Sequence, residues 1–67
     1  MLDLKINGEN RQFPAPLTVT GLIDLLGYTG KRIAIERNGE IVPKSRHGET
    51  VLTSGDQLEI VVAVGGG

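Results

Sequence analysis

The chain alternates apolar and polar residues from its first positions. Leu2, Leu4 and Ile6 are separated by Asp3 and Lys5, the period of a strand with one buried face. Asn7-Gly8 follows. Both residues tolerate the positive φ that a type I′ turn demands, so residues 9–13 are expected to return as a second strand, with Arg11 and Phe13 on one face. Pro14 and Pro16 end it, because proline has no N–H for the ladder. The period then changes. Val19, Leu22, Ile23 and Leu26 recur at helical spacing with Leu25 on the flank, which predicts an amphipathic helix. Thr18 stands where an N-cap belongs, Leu17 and Leu22 hold the two positions of a hydrophobic staple, and Gly27 occupies the left-handed position past the last turn. Gly21 weakens this helix by about 1 kcal/mol relative to alanine. Packing must therefore hold it.

Beyond a loop at residues 28–32, Ile33 and Ile35 begin a third strand, and Asn38-Gly39 repeats the hairpin signal. Residues 40–42 return as a short strand closed by Pro43. Residues 44–48 are polar and read as a surface loop, with His47 a solvated loop histidine rather than a base or a ligand. Residues 50–52 form a short edge strand or an irregular segment. Ser54-Gly55-Asp56 is turn chemistry in which the Asp56 side chain supports its own turn. Leu58, Ile60, Val62 and Val64 make the final strand, and Val61 and Ala63 render both parities apolar. That pattern predicts a central strand covered on both faces; with one face left open, Val61 and Ala63 would instead offer an apolar docking surface.

One amphipathic helix between two hairpins buries its stripe best across one face of a mixed sheet. With the terminal strand beside the first, the expectation is an α+β fold of the β-grasp (ubiquitin-like) kind over residues 1–64. Gly65, Gly66 and Gly67 would follow it as a flexible tail. Glycine accepts nearly any φ/ψ and carries no Cβ, so such a tail suits a narrow channel. In extended form, residues 64–67 reach about 10 Å beyond the sheet. The reactive group they carry is the α-carboxylate of Gly67, which makes the C-terminus the expected working part.

Composition narrows the alternatives. At 67 residues the chain is one small domain that buries only about 60% of its unfolded surface. It has no cysteine, hence no disulfide frame and no thiolate metal site, and no cluster of other metal ligands. The longest apolar run, residues 60–64, is too short to span a bilayer, and the alternating N-terminus is unlike a signal peptide; the expectation is a cytoplasmic protein without a membrane partner. Seven basic and eight acidic residues give a net charge of −1, with no basic stripe for nucleic acid. Phe13 and Tyr28 are the aromatics, too few for a base-stacking platform. No histidine–carboxylate–nucleophile set or phosphate loop points to an enzyme. Lys31-Arg32 and the basic group at residues 44–47 read as solvated faces, with electrostatic docking the sharper alternative.

Several segments together are specific. They are the opening Leu-Lys-Ile-Asn-Gly-Glu, the helix from Thr18 to Leu26, the stretch Ile33-Ala-Ile-Glu-Arg-Asn-Gly-Glu-Ile-Val-Pro43, Ser54-Gly-Asp-Gln-Leu-Glu-Ile60, and the closing Ala63-Val-Gly-Gly-Gly67. In this combination the chain resembles, over essentially its whole length, the ThiS family of sulfur carriers in thiamin biosynthesis. The resemblance implies a protein cosubstrate rather than a catalyst, one that binds no cofactor of its own. An E1-like adenylating enzyme of the ThiF type would use ATP to join AMP to the Gly67 carboxylate. A sulfur donor such as a cysteine desulfurase system would convert it to a thiocarboxylate, and thiazole synthase of the ThiG type would take the sulfur. Gly65 and Gly66 would give access to the partner's channel. The small subunit of molybdopterin synthase shares the fold and the glycine end but is usually longer. A non-conjugating β-grasp binding module is the alternative of a different class.

Overall fold

The computed structural model describes residues 1–63; the expected domain boundary at residue 64 and the tail Gly65, Gly66, Gly67 lie outside the described residues. The elements are β1 (Leu2–Ile6), β2 (Glu9–Phe13), α1 (Val19–Leu25), β3 (Ile33–Arg37), β4 (Glu40–Ile41) and β5 (Gln57–Val62), with a 3₁₀ turn at Lys44–Arg46. The strands form one sheet in the order β2-β1-β5-β3-β4. β5 runs parallel to β1 and antiparallel to β3. The last strand is therefore central, as its apolar run predicts.

Both hairpins turn as the Asn-Gly pairs require. Asn7 and Gly8 have φ of 50° and 85°, and Asn38 and Gly39 of 52° and 87°. The asparagine side chains also reach β5. Asn7 accepts from the Ile60 N–H at 2.8 Å and donates to the Ile60 carbonyl at 3.1 Å. Its amide thus extends the pairing beyond Ile6↔Leu58, the last β1–β5 backbone pair. Asn38 accepts from the Gln57 N–H at 2.9 Å and donates to Asp56 at 3.0 Å. Each turn residue is also a clamp on the central strand.

The helix is capped at both ends. Thr18 Oγ1 accepts from the Gly21 N–H at 3.1 Å. The Val19 and Thr20 N–H groups donate to the carbonyls of Thr50 and His47 at 3.0 and 3.1 Å, so the orphan donors of the first turn find acceptors in a distant loop. At the other end Gly27 adopts φ of 80°. The Tyr28 N–H reaches the Ile23 carbonyl at 2.9 Å and the Gly27 N–H reaches that of Asp24 at 3.0 Å, the paired bonds of a Schellman motif. Val19, Leu22 and Ile23 face the core, where they meet Leu4, Ile35, Leu58 and Leu52.

Three expectations need correction. β5 is central, yet only one of its faces is covered: Leu58 and Ile60 are buried while Val61 is 65% exposed. A single seven-residue helix leaves the other face of the sheet without a covering layer. Residues 44–48 contain a 3₁₀ turn rather than a plain loop. His47 is not solvated. It is buried, with Nε2 at 3.1 Å from the Val42 carbonyl, because its own carbonyl must approach the helix N-terminus. Residues 50–52 resolve to one bridge, Thr18↔Val51, with Leu52 in the core.

Candidate functional site

The expected working residues Gly65, Gly66 and Gly67 lie outside the described residues, so the site is defined by what surrounds the end of β5. The last pairs there are Ala34↔Val61 and Ile33↔Val62. The Ala63 N–H then donates to the Arg32 carbonyl at 2.8 Å. The chain is thus held in register against β3 and the preceding loop through Ala63. Four residues then remain before the Gly67 carboxylate, a span of at most about 14 Å.

Two further features of β5 matter. At its start, Asp56 is a buried carboxylate that accepts from the Thr53 N–H at 2.9 Å, from Asn38 at 3.0 Å and from Arg37 Nε at 2.8 Å. Burial alone would push this carboxyl up; the Thr53, Asn38 and Arg37 contacts outweigh it and hold the group below its ordinary value. Asp56 does support its own turn, as expected, and it also ties the β3–β4 hairpin to the start of β5. Along β5 itself, Glu59 stands opposite Glu36, beside the Ala34↔Val61 pair, on the uncovered face of the sheet. Ile41, 63% exposed, lies next to Glu36 in the β3–β4 register.

Beside the exit of β5 lies a groove of about 640 Å³, walled by Tyr28, Lys31, Arg32, Ile33, Lys44 and His47. The two short basic groups of the sequence, Lys31-Arg32 and the group that begins at Lys44, both line this groove. Sequence reasoning flagged both groups but not their union, which depends on the 3₁₀ turn. Among the described residues, no grouping of three His, Cys, Asp or Glu side chains could hold a metal ion. No helix there is long and apolar enough to cross a membrane.

A five-stranded mixed sheet folded over one helix, with the last strand central and parallel to the first, defines the β-grasp, ubiquitin-like class. The crystal structure of a thiamine biosynthesis protein (ThiS) from Geobacter metallireducens superposes with a TM-score of 0.82 at 28% identity, over 98% of this chain and all of that one. The model of the ThiS family matches residues 4–67, and the chain belongs to that family. The sulfur carrier protein ThiS of Bacillus subtilis is 35% identical over 65 residues, 96% of this chain and 98% of that protein. A thiazole synthase of Paramagnetospirillum magneticum is 48% identical over 66 residues, and one of Magnetococcus marinus 36%. The chain spans about a fifth of the length of each of these two synthases.

Proposed function

We propose that this chain is a sulfur carrier whose working group is the carboxylate of Gly67. A carboxylate is a poor acyl donor because its leaving group would be oxide. In the reading proposed here, a carboxylate oxygen attacks the α-phosphorus of ATP on an adenylating partner of the ThiF type, and pyrophosphate leaves. The terminal sulfur of a persulfide, supplied by a donor such as a cysteine desulfurase system, then attacks the acyl carbon and AMP departs. A thiol cleaves the sulfur–sulfur bond, which leaves the thiocarboxylate and a disulfide. Thiazole synthase receives the sulfur. The folded body supplies no base, nucleophile or metal to these steps; it presents the terminus and is recognised.

The observation that carries this reading is the family match, which continues through the glycine end to Gly67. The central position of β5 supports it: a strand held on its β3 side up to Ala63 gives the following four residues a fixed point of departure. Similarity to segments of two thiazole synthases favours thiazole formation over molybdopterin as the destination of the sulfur.

Gly67→Ala tests the demand for a slim terminus. A methyl group beside the reacting carbonyl should lower ATP–pyrophosphate exchange on the cognate adenylating enzyme by roughly a hundredfold, the scale of an ångström-sized misplacement. Thermal unfolding should be unchanged, because the core among the described residues is built from Leu2 to Ile60. Exchange at the wild-type rate would contradict the proposed role, as would normal exchange by a chain with one residue added after Gly67.

A further inference from the structure

The groove beside the exit of β5 has no role in the chemistry above, and its composition is one-sided. Lys31, Arg32 and Lys44 stand exposed around it. Two neighbouring cations are engaged: Arg46 pairs with Glu49 at 3.5 Å and Arg37 with Asp56 at 2.8 Å. Among the described residues, Lys31, Arg32 and Lys44 have no carboxylate at ion-pair distance. The nearest acids in sequence, Glu36 and Glu40, lie four positions from Arg32 and from Lys44 and form no ion pair with either. The floor is different in kind. Ile23 is buried, and Tyr28 and Ile33 are partly buried against the core, so the groove combines an apolar base with a cationic rim.

Its position is set by the strand pairing. Arg32 carries both a rim side chain and the carbonyl that holds the Ala63 N–H at 2.8 Å, while Ile33 is paired with Val62. A protein that takes the Gly67 carboxylate into an active site must bring the mouth of its channel within the span of four residues, at most about 14 Å from Ala63. The groove begins inside that radius, at Arg32 and Ile33.

We infer that this groove docks an acidic segment of the adenylating partner, with at least two carboxylates on the Lys31, Arg32 and Lys44 rim and one apolar side chain on the Tyr28–Ile33 floor. The inference rests on the proposed delivery of Gly67 to that partner. Charge count argues against the chain's own terminus as occupant, since one carboxylate leaves two of the three cations unmatched. The apolar floor argues against a free phosphate, which has nothing to place there. Rim ion pairs of this kind act on encounter and register more than on the chemical step.

The test is ATP–pyrophosphate exchange on the cognate adenylating enzyme, with the whole chain as varied substrate at two salt concentrations. Replacing Lys31, Arg32 and Lys44 together by alanine should raise KM roughly tenfold, the product of about a twofold loss per exposed pair. The kcat should stay at the wild-type value and the dependence of KM on salt should flatten. Lys5→Ala, which removes a cation from the open sheet face, should leave KM unchanged, and circular dichroism should show all variants folded. Wild-type KM in the triple variant would overturn the inference while leaving the carrier reading intact. So would an equal rise in KM for Lys5→Ala, which would mark a bulk charge effect. A fall in KM would also overturn it, because the groove would then be holding the chain's own carboxylate. Saturable binding of inorganic phosphate seen at these residues by NMR titration would replace the acidic segment with an anion site. If the wild-type chain supported no exchange at all, the carrier reading itself would fail.

Discussion

Asp56 is the residue on which charge and burial bear most directly. Its carboxylate is almost fully enclosed and accepts hydrogen bonds from Thr53, Asn38 and Arg37. Because these contacts hold its folded-state carboxyl below the ordinary value, the group binds fewer protons in the folded state than in the unfolded one. The contribution to stability is then complete above the usual carboxyl range near pH 4 and is lost as pH falls through the depressed folded value. Asp56→Asn should cost about 2–4 kcal/mol at pH 7, since Arg37 loses its counter-charge and one oxygen becomes a donor. Urea unfolding at pH 7 and at acid pH checks this: the gap between wild type and variant should narrow as pH falls. A gap that stays constant would mean that the charge is not what matters. The turn role of Asp56 was legible in Ser54-Gly55-Asp56, because an Asx side chain serves local backbone. Its partners Arg37 and Asn38 lie 19 and 18 residues away and leave no local trace. His47 was misread for the same reason. A lone polar residue between Arg46 and Gly48 looks solvated until the helix that needs its carbonyl is placed beside it.

At the level of the element, α1 was the most readable part of the chain. Thr18, the core-facing stripe and Gly27 act locally, and all three perform the parts their positions imply. Gly21 was readable only as a weakness. A Cβ built there would meet Leu17 Cδ1 at 2.9 Å, and Leu17 is a buried core residue, so a side chain at this position requires Leu17 to shift within the core. Gly27 is kept for conformation: a Cβ there meets nothing within 4 Å, but φ is +80°. Gly27→Ala should therefore destabilise by about 1 kcal/mol, seen as a fall in Tm of roughly 4–8 °C. Gly27→Asn should lose less, because asparagine tolerates the left-handed region. Equal losses for the two would point to packing rather than to backbone strain. The final strand was readable in its centrality but not in its coverage. Val61 and Ala63 suggest two buried faces, and only the count of covering elements reveals that one face of the sheet is open.

For the molecule as a whole, the two Asn-Gly hairpins, one helix and an apolar last strand sufficed to anticipate a mixed sheet with the last strand beside the first, because few topologies bury a single helical stripe across such a sheet. The groove was not legible. Its walls come from the loop after α1 and from the 3₁₀ turn, segments that carry no periodicity and meet only when the helix N-terminus recruits the carbonyls of His47 and Thr50. On the proposed function, the whole is a small body that fixes one strand, presents a cationic groove where that strand leaves, and delivers a terminal carboxylate to larger partners. That claim is tested most directly by intact mass and terminal-peptide analysis of the chain after incubation with ATP, its cognate adenylating enzyme, a persulfide donor and a thiol. The peptide map is needed because oxidation of Met1 adds nearly the same mass as the exchange of oxygen for sulfur. The account predicts one oxygen replaced by one sulfur on the peptide ending at Gly67, dependent on ATP. An unmodified terminal peptide in the presence of active enzyme would contradict it.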